Sequence, residues 1–127
     1  MRGLLACSLL LGAGAGAQGA ASPAQVVVVE LCVAEQSPER VEAAFTTPLE
    51  KLLLALPGVE TLNSNTGYGR VVLEIHYKGG ASEDDAASVA QAIDRSQAGF
   101  QSRSVRLDRP RADGRYFGLD GCRAPSR

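Results

Sequence analysis

The stretch SPERVEAAFTTPLEKLLLALPGVE, residues 37–60, decides the fold of this chain of 127 residues. Ser37 is a favourable N-cap, and Pro38 suits the first helical position, where a backbone N–H would find no partner inside the helix. Apolar residues then recur at three- and four-residue spacing, which is typical of a helix that packs one face on a core. Pro57-Gly58 ends the pattern. The stretch therefore predicts one amphipathic helix with defined ends.

One proline lies inside this predicted helix. Pro48 has no N–H to donate, and its ring crowds the carbonyl four residues earlier, so we expect a kink there. The apolar stripe that should face the core consists of Val41, Ala44, Phe45, Pro48, Leu49, Leu52, Leu53 and Leu56.

Extended and helical patterns alternate around this helix. Val26 to Val33 is a short β-branched run, typical of a buried strand. Val59 to Asn65 predicts a polar edge strand, and the alternating run Arg70 to Tyr77 predicts its hairpin partner. A second helix is expected over about residues 83–97 and a last strand over Phe100 to Asp108. The order β-α-β-β-α-β predicts an α+β fold, a ferredoxin-like sandwich with a four-stranded antiparallel sheet and two helices on one face. Right-handed crossovers place the first strand between the third and the fourth.

The core should lie between the helices and one face of this sheet. The second helix begins at an approximate capping box, Ser82 with Asp85, and its inner face is rich in alanine. The predicted core consists of Val27, Val29, Leu31, Val41, Phe45, Leu49, Leu52, Leu73, Ile75, Val89, Ile93 and Val105.

The opposite face of the sheet carries no predicted helix. Alternation places valines there (Val26, Val28 and Val72) beside Glu30, Cys32, Glu74 and His76. We expect the C-terminal tail to cover part of this open face and a partner to use the rest. Glu30, Glu74 and His76 are the candidate binding residues on it.

The beginning of the chain predicts export. Arg2 precedes an apolar run and small residues that suit cleavage, so we predict a signal peptide over residues 1–20. An α+β domain is expected over residues 24–109 and a basic tail over 110–127. The predicted location is periplasmic or secreted, and no segment predicts a membrane span.

The net charge of −1 is unevenly distributed. Residues 30–95 hold eleven acids and five bases, whereas residues 103–127 hold seven arginines and three aspartates. The basic tail could pack on its own acidic body or reach an anionic partner. Export and the acidic body disfavour nucleic acid as that partner.

Two cysteines remain once the leader, with Cys7, is removed. Because export places both thiols in an oxidising compartment, we predict a disulfide between Cys32 and Cys122. The alternative is two unpaired cysteines, one in a strand and one in a loose tail.

Residues 36–94 resemble the first periplasmic porter subdomain of the resistance–nodulation–division (RND) efflux transporters. The matching pieces are Ser37-Pro38-Glu39, Thr47-Pro48-Leu49-Glu50, Leu56-Pro57-Gly58-Val59-Glu60, the strand Val71 to Tyr77, and Asp85-Ala86 with Val89 and Ile93-Asp94.

The resemblance covers one structural subdomain of such a pump and not its transport machinery. Those pumps carry about twelve membrane helices and proton-relaying carboxylates that this chain lacks. In the family the second helix lines the centre of a trimer. The resemblance therefore implies a candidate oligomer face made of Ala86, Val89, Ala90 and Ile93. It also implies efflux-system proteins or further copies of this chain as partners.

The sequence holds no credible catalytic constellation, since its one histidine, His76, lies in a strand and not beside a nucleophile elbow. We therefore expect a non-enzymatic binding or interaction module without a cofactor, accessory to an efflux system. The alternative is a small periplasmic metal- or ligand-binding protein. In it, Glu30, Cys32, Glu74 and His76 would form a soft-metal site on the open face.

Overall fold

The computed structural model describes residues 24–96, 99–113, 116 and 122. The predicted signal peptide, residues 1–20, and most of the tail lie outside these residues. The elements in chain order are β1 (Val26–Cys32), α1 (Pro38–Val41), a π-helical turn (Glu42–Thr46), α2 (Thr47–Leu54), β2 (Val59–Gly67), β3 (Arg70–Tyr77), α3 (Glu83–Ser96) and β4 (Ser102–Asp108). Among the described residues, none of the helices combines the length and the apolar character that crossing a bilayer requires.

The four strands form one sheet in the order β2-β3-β1-β4, and all neighbours are antiparallel. This confirms the predicted α+β class and the central position of β1. Val29 of β1 lies opposite Leu73 of β3 on one side and Val105 of β4 on the other. The edge strand β2 is longer than predicted, because it continues to Gly67.

The main core lies between the helices and the inner face of the sheet, and it contains the alternate β1 residues that the pattern assigned to it. Phe45 and Val105 pack against it while partly buried. The prediction was wrong for Leu52, which is 37% exposed, whereas Leu53 is 0% exposed. Consecutive helical residues are about 100° apart around the axis. Helix α2 contacts the edge strand β2, and Leu53 lies on its buried face whereas Leu52 lies on its exposed side.

Pro48 is accommodated by a π-helical turn and not by an interrupted α-helix. The N–H of Thr47 bonds to the carbonyl of Glu42, five residues earlier. This wide turn lies immediately before Pro48 and relieves the crowding that the proline ring would cause in an α-helix. It also brings Thr46 inward, where its hydroxyl lies 2.7 Å from the hydroxyl of Thr66.

Helix α3 begins at the predicted capping box. The backbone N–H of Ser82 donates to Asp85 Oδ2 at 2.9 Å, and the N–H of Asp85 donates to Ser82 Oγ at 3.2 Å. The buried face of α3 is Ala86, Val89, Ala92 and Ile93, and Ala90 is half-buried.

Candidate functional site

The sheet face away from the helices, here called the outer face, carries a second apolar cluster. Val26 and Val28 of β1 are buried there, and Val72 of β3 packs against them. Their cover is Tyr116 of the C-terminal tail, which is 2% exposed. The structure thus shows that the tail occupies part of the open face, as predicted.

A disulfide joins Cys32, the last residue of β1, to Cys122 of the tail, which confirms the predicted pairing. Their Cα atoms are 5.3 Å apart, within the usual range for such a bridge. Because the Cys32 sulfur is bonded to another sulfur, it is not a thiolate. The four-residue metal site considered from the sequence therefore loses its soft ligand.

Glu30 is 0% exposed and lies between two arginines. Its Oε1 is 2.5 Å from Arg70 Nη2, and its Oε2 is 2.5 Å from Arg106 Nη1. Strands β3 and β4 flank β1, and both arginines lie diagonally across from Glu30 at two-residue offsets, within reach of long side chains. Both carboxylate oxygens are therefore engaged by the sheet itself, and the buried charge is neutralised.

Tyr116 attaches the tail to this charged network. Its hydroxyl donates to Glu74 Oε2 and accepts from the N–H of Arg111 at 3.0 Å. Its carbonyl accepts from Arg70 Nη2 at 2.7 Å, so that Arg70 bonds to the tail and to Glu30 at once. Burial, followed by the hydrogen bond to Glu74, raises the pKa of Tyr116 to about 12.

Glu74 and His76 lie side by side on the outer face. Glu74 Oε1 accepts from Asn63 Nδ2 at 3.3 Å and is 3.5 Å from His76 Nε2. The Nε2 atom is buried and has no hydrogen-bond partner among the residues that the structure describes. A small cleft of about 100 Å³ opens beside Glu74 and is lined by Asn63, Ser64, Asn65, Val72, Glu74 and Tyr116.

The structure therefore separates the three candidate binding residues. Glu74 lines the cleft and His76 lies beside Glu74, whereas Glu30 is enclosed by Arg70 and Arg106. Within the residues described, no group of three or more His, Cys, Asp or Glu side chains could hold a metal ion.

The candidate oligomer face is also placed differently from what the resemblance implied. Ala86, Val89 and Ile93 belong to the main core beneath α3, with at most 9% exposure. These three side chains pack on the chain's own sheet, and the role of this helix in an oligomer stays a prediction. Only Ala90 remains partly accessible.

Sequence reasoning missed Arg70, Arg106 and Tyr116. Alternation already places both arginines on the outer face, because Arg70 lies two residues from Val72 on β3 and Arg106 lies opposite Val28 of β1. Tyr116 is one of few apolar residues in a polar tail, and no local pattern indicates where its ring docks.

Comparisons with known proteins support the fold. No family model matches the chain, and no curated protein matches it. Among solved structures, the chain is similar to the X-ray crystal structure of a heavy metal efflux pump, with a TM-score of 0.52 and 24% identity. The match covers 68% of this chain and 9% of the pump chain. The predicted resemblance is therefore supported in part, as a shared fold with a small piece of a large pump.

Proposed function

We propose that this chain is a non-catalytic interaction module that works outside the cytoplasm as an accessory to an efflux system. The observation that supports this most directly is its similarity to a segment of a heavy metal efflux pump. The chain spans only 9% of that pump, so transport itself would belong to a partner. The disulfide supports a location in an oxidising compartment.

A direct binding measurement tests this proposal. The oxidised full chain is titrated against the purified periplasmic region of the heavy-metal pump of the same organism by biolayer interferometry. We expect saturable binding with a micromolar Kd, together with lower metal tolerance in a strain lacking the chain. An unrelated disulfide-bonded periplasmic protein of similar size is the control. Absence of both binding and a tolerance defect would contradict the proposal.

A second candidate function is cation or small-ligand binding beside the outer face. The buried Nε2 of His76, 3.5 Å from Glu74 Oε1, favours it, because imidazole and carboxylate are both ligands for zinc. Zinc or copper should then raise the Tm of the chain, and His76→Ala should abolish the rise. The exposed Glu60→Ala is the matched control. An unchanged Tm with both metals would contradict cation binding at this site.

A further inference from the structure

The apolar cluster on the outer face is separate from the main core. The main core is built from the strands and helices between Val27 and Leu107, and none of its described members comes from the tail. The outer cluster combines strand valines with Tyr116. Removal of Tyr116 would therefore expose Val26, Val28 and Val72 without opening the main core.

The carboxylates beneath the tail each have a partner in the sheet itself. Arg70 of β3 and Arg106 of β4 both pair with Glu30, and Asn63 of β2 donates to Glu74. The tail contributes two further hydrogen bonds, one from the Tyr116 hydroxyl to Glu74 and one from Arg70 to the Tyr116 carbonyl. After the tail leaves, the outer face would be an apolar strip of valines between the Glu74 carboxylate and the Arg70 guanidinium. Glu74 would keep its hydrogen bond from Asn63, and Arg70 would keep its ion pair with Glu30.

The disulfide is the covalent attachment of this cover to the sheet, since it ties Cys122 to the end of β1. We propose that Tyr116 and Cys122 form a redox-releasable tail cover, and that reduction exposes the outer face as a docking site for a partner protein. The reductant in that step is a dithiol, which is itself oxidised to a disulfide. Two electrons and two protons pass to the bridge, whose S–S bond breaks to leave the thiols of Cys32 and Cys122.

The contacts of the tail define the chemistry of the partner. Tyr116 places an aromatic ring on the valines, a hydroxyl donor on Glu74 and a carbonyl acceptor on Arg70. A partner segment that carries a tyrosine on an accessible backbone would make the same three contacts in its place. This inference rests on the proposed function in one respect, that the chain binds another protein.

Three tyrosines allow a test of release with internal controls. Tyr68 is 76% exposed, Tyr77 is 7% exposed within the main core, and Tyr116 is 2% exposed under the tail. Acetylation by N-acetylimidazole, mapped by mass spectrometry, is compared between the oxidised full chain, the chain reduced with dithiothreitol and desalted, and Cys122→Ser.

We expect reduction, and equally Cys122→Ser, to raise the acetylation rate of Tyr116 at least tenfold, towards that of Tyr68. The rate of Tyr77 should stay low. Continued protection of Tyr116 in a chain with two titratable free thiols would overturn the inference. An equal rise for Tyr77 would also overturn it, because the cover would then not be separable from the core.

A second experiment tests docking with the chain's own tail as the probe. A fluorescent peptide of residues 109–127 bearing Cys122→Ser is titrated against the full chain carrying Tyr116→Ala and Cys122→Ser, with circular dichroism as the check on folding. We expect the peptide to bind the doubly substituted chain and not the oxidised wild-type chain. A peptide that also carries Tyr116→Ala should bind the doubly substituted chain at least tenfold more weakly. Equal binding of both peptides, or no binding of either, would refute the docking site. Because no efflux protein is used, failure of the proposed function would leave this result unaffected.

Discussion

Replacement of Cys122 by serine should markedly lower the free energy of unfolding. The bridge joins residues 90 positions apart, so it restricts nearly the whole described chain in the unfolded state. Chain-entropy reasoning assigns a loop of that length about 4.6 kcal/mol at 25 °C. This is the loss expected if the tail stays docked after the bridge is broken.

Release of the tail would reduce that loss. Docking the tail closes a loop of roughly 14 residues after β4, which costs about 3 kcal/mol. The opposing contacts are the buried ring of Tyr116, worth about 1.5–3 kcal/mol, and hydrogen bonds worth about 1 kcal/mol each. Together with the two hydrogen bonds that join Tyr116 to Glu74 and Arg70, these contacts amount to about 3.5–5 kcal/mol, so docking of the tail is favoured by only about 0.5–2 kcal/mol once the bridge is broken. We therefore expect Cys122→Ser to cost about 3–5 kcal/mol overall.

Urea unfolding followed by far-ultraviolet circular dichroism at pH 7 measures this loss. Wild-type chain treated with dithiothreitol should unfold at the same urea concentration as Cys122→Ser, and reductant should not shift the variant. A loss below about 1 kcal/mol would show that the bridge does not restrict the unfolded chain in the way that loop entropy requires.

Three further predictions address the core and the outer face. Leu49→Ala should lower the free energy of unfolding by about 2–5 kcal/mol, because Leu49 is buried. Leu52→Ala should lower it by less than about 1 kcal/mol. Similar losses for both variants in urea unfolding would show that the helix face is misassigned. Glu30→Gln should cost about 2–3 kcal/mol in the same assay, because Arg70 and Arg106 would lose their counter-charge, and an unchanged stability would show that the pairs add nothing. The pKa of Tyr116 is raised from 10.0 to about 12, so its contribution is complete below pH 10 and is lost as pH rises through 12. Stability should therefore fall by about 2–3 kcal/mol more in wild type than in Tyr116→Phe over that interval; parallel pH profiles would contradict this reasoning.

Local patterns in the sequence determined the order of the elements and the two faces of the sheet. Strand alternation with period two assigns Val27 inward and Val28 outward, and a proline-started helix between strands leaves little choice of topology. The pairing of Cys32 with Cys122 followed from their even number after export. Each of these conclusions depends on neighbouring residues or on residue counts, which a single sequence displays.

Only the tertiary structure decided how the outer face is closed. The ion pairs of Glu30 with Arg70 and Arg106 depend on the register of three strands, and the position of Tyr116 depends on a tail without periodicity. The exposure of Leu52 likewise depends on how α2 contacts the edge strand β2, which its own helical pattern does not encode. These features join residues that are distant in sequence, so their energies come from contacts that no local pattern records.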